Sequence, residues 1–260
     1  MKRDRAYKIT IIALAALLIT ESVLLLRLWS VRPKKEIKPV VIKGKIAIVI
    51  DDWGYNLNNL VVLEEIKYPL TLSVLPGLSY SLRVAESLYK SGFEIILHLP
   101  MEPYEKFRLE ANTIMTTMDE PTIRGIIAQD LLSVPHAKGV SNHMGSKATE
   151  SLRTMNIIFG ELKKRKLYFL DSLVSSDSLC FDLTRKMRLG FAKRDVFLDN
   201  QEDSAYIKNQ IYKLKTRAKV YGEAIGIGHD REMTLKVLKE IMPQLEREGY
   251  KFVFVSELVH

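Results

Sequence analysis

KIAIVIDDWGY, residues 45–55, is the stretch on which the reading of this chain turns. Ile46 to Ile50 form a short run of small and β-branched apolar residues, the pattern of a strand buried on both faces. The run stops at two consecutive carboxylates, Asp51 and Asp52. Adjacent like charges at the mouth of a buried strand repel one another and lose hydration, so a cation, a proton or a hydrogen-bond network is expected to stabilise one of them. The ordinary alternative is a solvated turn in which both acids cap the next helix.

Outward from this strand the same unit repeats. Gly54 and Asn56 make a turn, helical spacing runs from Leu57 to Ile66, and Leu70 to Leu75 reads as a strand stopped by Pro76 and Gly77. A helix over 80–90 ends before Gly92, and a third strand, Phe93 to Leu97, runs into His98. Residues 101–118 form a long connection, of a length that in compact domains is functional or mobile. Further strands are expected at 139–141, 168–170, 190–193, 196–198, 224–228 and 252–255, with helices between most of them. Strands alternating with helices through short turns imply parallel strands joined by right-handed crossovers. The expected fold is α/β, a closed or nearly closed parallel β/α barrel of seven or eight strands, with an open doubly wound sheet as the alternative.

With 260 residues, 47% of them apolar, the chain can bury a full core, and no Pro-rich or Ser-rich linker divides it after residue 45. Residues 1–45 hold eleven Lys or Arg against three acids, a surplus of +8 that equals the formal charge of the whole chain. The remaining 215 residues are balanced and give no support for a nucleic-acid surface. Ile9 to Trp29 is apolar and long enough to cross a bilayer, with Glu21 and Arg27 as its charged members. An uncleaved anchor is preferred to a cleaved signal peptide, because no A-x-A-like site follows Ile19 and the apolar run resumes at Val23. The expected organisation is a membrane anchor or signal segment over 1–30, a basic tether over 31–44 and one barrel over 45–260. The single cysteine, Cys180, cannot form a disulfide within the chain.

In a β/α barrel the carboxyl ends of the strands meet on one face, where catalytic groups gather. Asp51, Asp52, His98, His143, Asp171, Asp195 and His229 all stand at or just beyond strand ends; of the five histidines only His136 and His260 do not. A lone strand-end histidine is more often a hydrogen-bonded core residue than a ligand, but three converging on an Asp pair point to a site. Two imidazoles and one carboxylate leave an open position on a zinc-like ion, where bound water becomes acidic enough to attack a carbonyl. A neighbouring carboxylate can take the water's proton, and another histidine can protonate the departing amine. Ser146 and Ser172 lie in no G-x-S-x-G elbow, Cys180 falls within a helix, and no phosphate-binding G-x-x-x-x-G-K-[ST] loop occurs.

The ordered set IVIDDWGY, TLSVLPGL, EIILHLPMEP, GVSNHMGS, YFLDS, RDVFLD and AIGIGH, spread over residues 45–258, resembles the divergent polysaccharide deacetylase family, a branch of the polysaccharide deacetylase superfamily with a distorted β/α barrel. The resemblance implies an extracytoplasmic, carbohydrate-active domain in which Asp51 is the general base, Asp52 a metal ligand and His229 the acid. Ordinary members of the superfamily take both metal histidines from one H-[ST]-x-x-H segment, whereas EIILHLPMEP holds only His98. His143 of NHMGS is therefore inferred to be the second imidazole, with Glu102 as the competing ligand. The ordinary R-x-P-Y-G segment is also missing, which leaves Arg194 or Asp195 to orient the base, with Asp171 as a further supporting group.

Two functions follow from this reading. The first is a membrane-anchored hydrolase, dependent on a divalent metal such as zinc, that deacetylates N-acetylated sugars of an envelope polysaccharide, with its domain periplasmic or at the cell surface. The second is a non-catalytic envelope protein that uses the same barrel to bind glycan or a protein partner.

Overall fold

The computed structural model describes residues 2–30 and 41–260. The chain divides into two units, Met1–Val40 and Val41–His260. In the first, α1 (Lys2–Ser30) is a single helix whose apolar side chains are exposed, long and apolar enough to cross a membrane. Residues 31–40, most of the expected tether, lie outside the described residues.

The second unit begins with β1 (Gly44–Trp53), α2 (Leu60–Glu64), β2 (Thr71–Val74), α3 (Ser81–Lys90) and β3 (Glu94–Met101). It continues through α4 (Glu120–Ser133), β4 (Gly139–Met144), α5 (Leu152–Arg165), β5 (Tyr168–Asp171) and α6 (Cys180–Met187). The last part holds β6 (Phe191–Lys193), β7 (Val196–Phe197), α7 (Ser204–Tyr221), β8 (Glu223–His229), α8 (Glu232–Arg247) and β9 (Tyr250–Val253). All strand pairs are parallel, in the order β6-β5-β4-β3-β2-β1-β8-β7, with β9 pairing the start of β1. The sheet curls into a barrel that stays unclosed, since the end strands β6 and β7 do not pair with each other. The nine strand segments exceed the seven or eight units of the sequence because β6 and β7 are short pieces on either side of Arg194 and Asp195. The first helix after β1 is shorter than the helical spacing implies, five residues, because Asn56 accepts the amide of Asn58 and holds 56–59 in a turn.

Strand periodicity sorts the core into two layers. In β1, Ile46, Ile48 and Ile50 pack outward against the helices, whereas Ala47 and Val49 face the barrel interior with Ile96, Leu170, Ile225 and Ile227. Continuing each strand by the same alternation directs Ser73, His98, Ser141, His143 and His229 inward. Asp51 also follows the inward parity of β1. Asp52 does not, and a backbone distortion corrects it: the β1–β2 register shifts between Ile50 and Trp53, and Asp52 adopts φ 68°. A left-handed, non-glycine residue at a strand end is strained backbone of the kind that collects at functional sites. Its effect is to bring two consecutive carboxylates to one mouth.

Candidate active site

Asp52 Oδ1 lies 3.3 Å from His98 Nε2 and 3.2 Å from His143 Nδ1. Neither approach has hydrogen-bond geometry, so this buried oxygen has no hydrogen-bond partner, and neither has Asp51 Oδ1. Burying such acceptors unpaired is costly, and it is tolerated where another partner is expected. The three donor atoms of Asp52, His98 and His143 lie within 4.8 Å of one another. Donors about 2.1 Å from a tetrahedral ion stand about 3.4 Å apart, so the two measured separations suit a zinc-sized cation. Two nitrogens and one carboxylate oxygen are also the donor set such an ion takes while keeping a position open.

The supporting contacts are built on the same inward parity. His98 Nδ1 is 2.8 Å from Ser141 Oγ, which is 2.7 Å from Ser73 Oγ, so the far side of the imidazole is held by a buried hydroxyl pair. Such partners fix the ring orientation of a metal-binding histidine. Asp51 Oδ2 lies 3.7 Å from His98 Nε2. Burial pushes the Asp51 carboxyl above its ordinary pKa, against the pull of His98. Burial works in the same direction on Asp52, but the imidazoles of His143 and His98 outweigh it and hold that carboxyl well below the usual range. For His98, burial disfavours the charged ring, yet the carboxylates of Asp51 and Asp52 leave its pKa raised.

His229 stands opposite Asp51 in the β1–β8 register. Its Nδ1 is 2.7 Å from Asp199 Oδ1, and Asp199 Oδ2 accepts the His229 amide and the Thr234 hydroxyl. Burial lowers the His229 pKa, but Asp199 first, then Asp52 and Asp51, more than compensate and raise it overall. Phe197 stacks on the His229 ring, and Arg194 lies 3.7 Å from the Phe197 centroid.

The structure thus brings Asp51, Asp52, His98, His143 and His229 to one mouth, and leaves the other named residues outside it. Glu102 is already engaged: its carboxylate accepts the Thr116 amide, the Thr116 hydroxyl and the Lys147 ammonium. Asp171 has outward parity in β5 and accepts from the Leu173 amide and the Ser178 hydroxyl. The expectation that Arg194 or Asp195 orients Asp51 is not met. Arg194 donates to the carbonyls of Ser172 and Leu173, and Asp195 accepts the Ile225 amide and pairs with Arg217. The groups acting on Asp51 are His98, Asp52, His229 and Ser73. Sequence reasoning gave no role to Asp199, Ser73 or Ser141. For Asp199 the available signal was an acid closing RDVFLD at a strand end; for the serines it was their inward parity near the ends of β2 and β4.

A family model described as divergent polysaccharide deacetylase matches residues 48–259. The chain is 35% identical over 205 residues to the uncharacterized protein YibQ of Escherichia coli (strain K12), a match covering 79% of this chain and 64% of that protein. It therefore spans slightly less than two thirds of that relative's length. Among solved structures, an uncharacterized protein from Agrobacterium tumefaciens C58 is similar with TM-score 0.80 at 20% identity, over 84% of this chain and 90% of that one. A family 4 carbohydrate esterase from Streptomyces lividans, in complex with acetate, is similar with TM-score 0.53 at 14% identity, over 82% and 93%. Both structural likenesses are of fold.

Proposed function

The chain belongs to the divergent polysaccharide deacetylase family, and from that premise we propose a metal-dependent hydrolase that removes acetyl groups from N-acetylated sugars of an envelope polysaccharide. The observation that carries this reading is the unpaired Asp52 oxygen between the imidazoles of His98 and His143, with Asp51 and His229 beside it. Asp52, His98 and His143 would hold a divalent cation, zinc by donor type and spacing. When bound, such an ion supplies a Lewis acid that polarises the acetyl carbonyl and acidifies water.

The chain's own groups supply the proton transfers. Asp51, a stronger base than an ordinary carboxylate because it is buried, accepts a proton from the attacking water. The new carbon–oxygen bond forms at the acetyl carbon. His229 gives its Nε2 proton to the sugar nitrogen as the carbon–nitrogen bond breaks, so the products are acetate and the free amine. Asp199 keeps His229 protonated and fixes the tautomer by holding Nδ1. We assign α1 as a membrane anchor, with the barrel extracytoplasmic as an envelope substrate requires.

The test is acetate release from N-acetylated chito-oligosaccharides and peptidoglycan fragments by the purified full chain, with and without zinc. Zinc-dependent release is expected. Metal and glycan binding with no release from any substrate would instead support a binding protein built on the same barrel.

A further inference from the structure

The barrel's unclosed seam forms a second concave surface. β7 covers β8 from Gly226 onward and Asp195 takes both main-chain groups of Ile225, so the start of β8 at Glu223 faces β6 across a groove of ≈ 950 Å³. The groove is remote from the mouth, because Glu223 begins β8 whereas His229 ends it. Phe191, Ile225 and Leu258 give it an apolar floor. Its two acids are engaged, Asp195 with Arg217 and Glu223 with His260. Three of its cations, Arg185, Arg188 and Lys193, are exposed and have no carboxylate within ion-pair distance among the described residues.

The walls also present main-chain groups. In a parallel sheet the N–H and C=O of successive residues point to alternate sides. Those of Phe191 point into the seam, where they exchange two hydrogen bonds with His260, of 3.0 and 3.1 Å. By the same alternation those of Lys193 and Glu223 turn into the groove, where no strand pairs with them. His260 thus already occupies the β6 edge at Phe191, which leaves Lys193 as the β6 residue whose seam-facing main chain has no partner among the described residues.

We propose that this groove binds an extended, acidic segment of a partner protein, which pairs with the main chain of Lys193 beside the His260 contact and sets its carboxylates on Arg185, Arg188 and Lys193. Alternate side chains of such a segment would fall on the apolar floor, while those between them reach the cations. Exposed strand edges are the standard template for such pairing. An anionic lipid would satisfy the cations and leave the edges unpaired, which favours the peptide.

The test uses the full chain in neutral detergent micelles and a fluorescein-labelled decapeptide library in which Glu or Asp alternates with Val, Ile, Tyr or Phe. Saturable anisotropy changes are expected for a subset. Affinity is expected to fall at least tenfold in Arg188→Glu/Lys193→Glu, and likewise when edge-facing amides of the peptide are N-methylated. Unchanged zinc binding at the mouth in that variant shows that it is folded. No saturable binding, or binding indifferent to both changes, would overturn the proposal. So would binding of dihexanoyl-phosphatidylglycerol that depends on the same cations while no peptide binds.

Discussion

Two carboxylates on the same rim of the barrel are used in opposite ways. Glu102, just past β3, has its oxygens occupied by Thr116 and Lys147, and with them it anchors the connection from 101 to 118. Asp52, in β1, sits on strained backbone and leaves one buried oxygen unpaired between two imidazoles. Both are acids near strand ends close to nitrogen donors, and both were candidate ligands. The difference is satisfaction: the fold fills the lone pairs of Glu102, whereas it leaves a buried oxygen of Asp52 without a hydrogen bond, which supports the proposed cation site.

The largest effect is expected next to Asp52. Asp51→Asn removes the proposed base and should lower turnover by about 10²–10⁴-fold. Zinc content and circular dichroism are expected to stay unchanged. Turnover within threefold of the native chain would remove Asp51 from that role.

A smaller effect is expected one contact further out. Asp199→Asn should cost about 10–100-fold in turnover, on the order of losing a partner that orients a working histidine. It should also move the alkaline limb of the pH–rate profile to lower pH, because Asp199 holds the His229 pKa up. The same pair sets a stability window. The raised His229 pKa gives stability that is full below about 6.5 and is lost as pH rises through the raised value. Asp199, lowered by His229 against its burial, contributes above about 3.9 and loses that contribution as pH falls through its lowered value. Urea midpoints between these limits should drop in Asp199→Asn, and the gap to the native chain should narrow as pH rises through the raised His229 pKa. An unshifted alkaline limb would separate Asp199 from the chemistry.

Glu102→Gln should have the smallest effect on function and a clear one on the fold. Loss of the charged partner of Lys147 is expected to destabilise the barrel by about 1–3 kcal/mol, read as a urea midpoint, with zinc stoichiometry unchanged. Lys147 and Thr116 outweigh burial and lower the Glu102 pKa, so the contribution is present above about 4.3 and is lost as pH falls through the lowered value. Loss of zinc in this variant would break the contrast between the two carboxylates.

Much of this was legible in the sequence, for a physical reason. The β1 run and its successors carry period-two and period-3.6 patterns, and the end of an inward-facing strand position is predictable from parity alone. That is why His98, His143 and His229 could be named before their partners. Asp199 was not given its role, because it meets His229 only through the β7–β8 seam, which two short strands create. Arg194 and Asp195 were misplaced as orienting groups for the complementary reason. Both lie between β6 and β7, where the chain leaves the regular alternation, and their side chains turn to main-chain groups of neighbouring segments.

We propose Asp52, His98 and His143 as one metal centre. The measurement that tests it most directly is elemental analysis of the purified full chain after zinc loading and dialysis, beside Asp52→Ala, His98→Ala, His143→Ala and Glu102→Gln. One zinc per native chain is expected, retained in Glu102→Gln and lost in the other three variants. A native chain that retains no zinc, or one whose zinc survives Asp52→Ala, would contradict it.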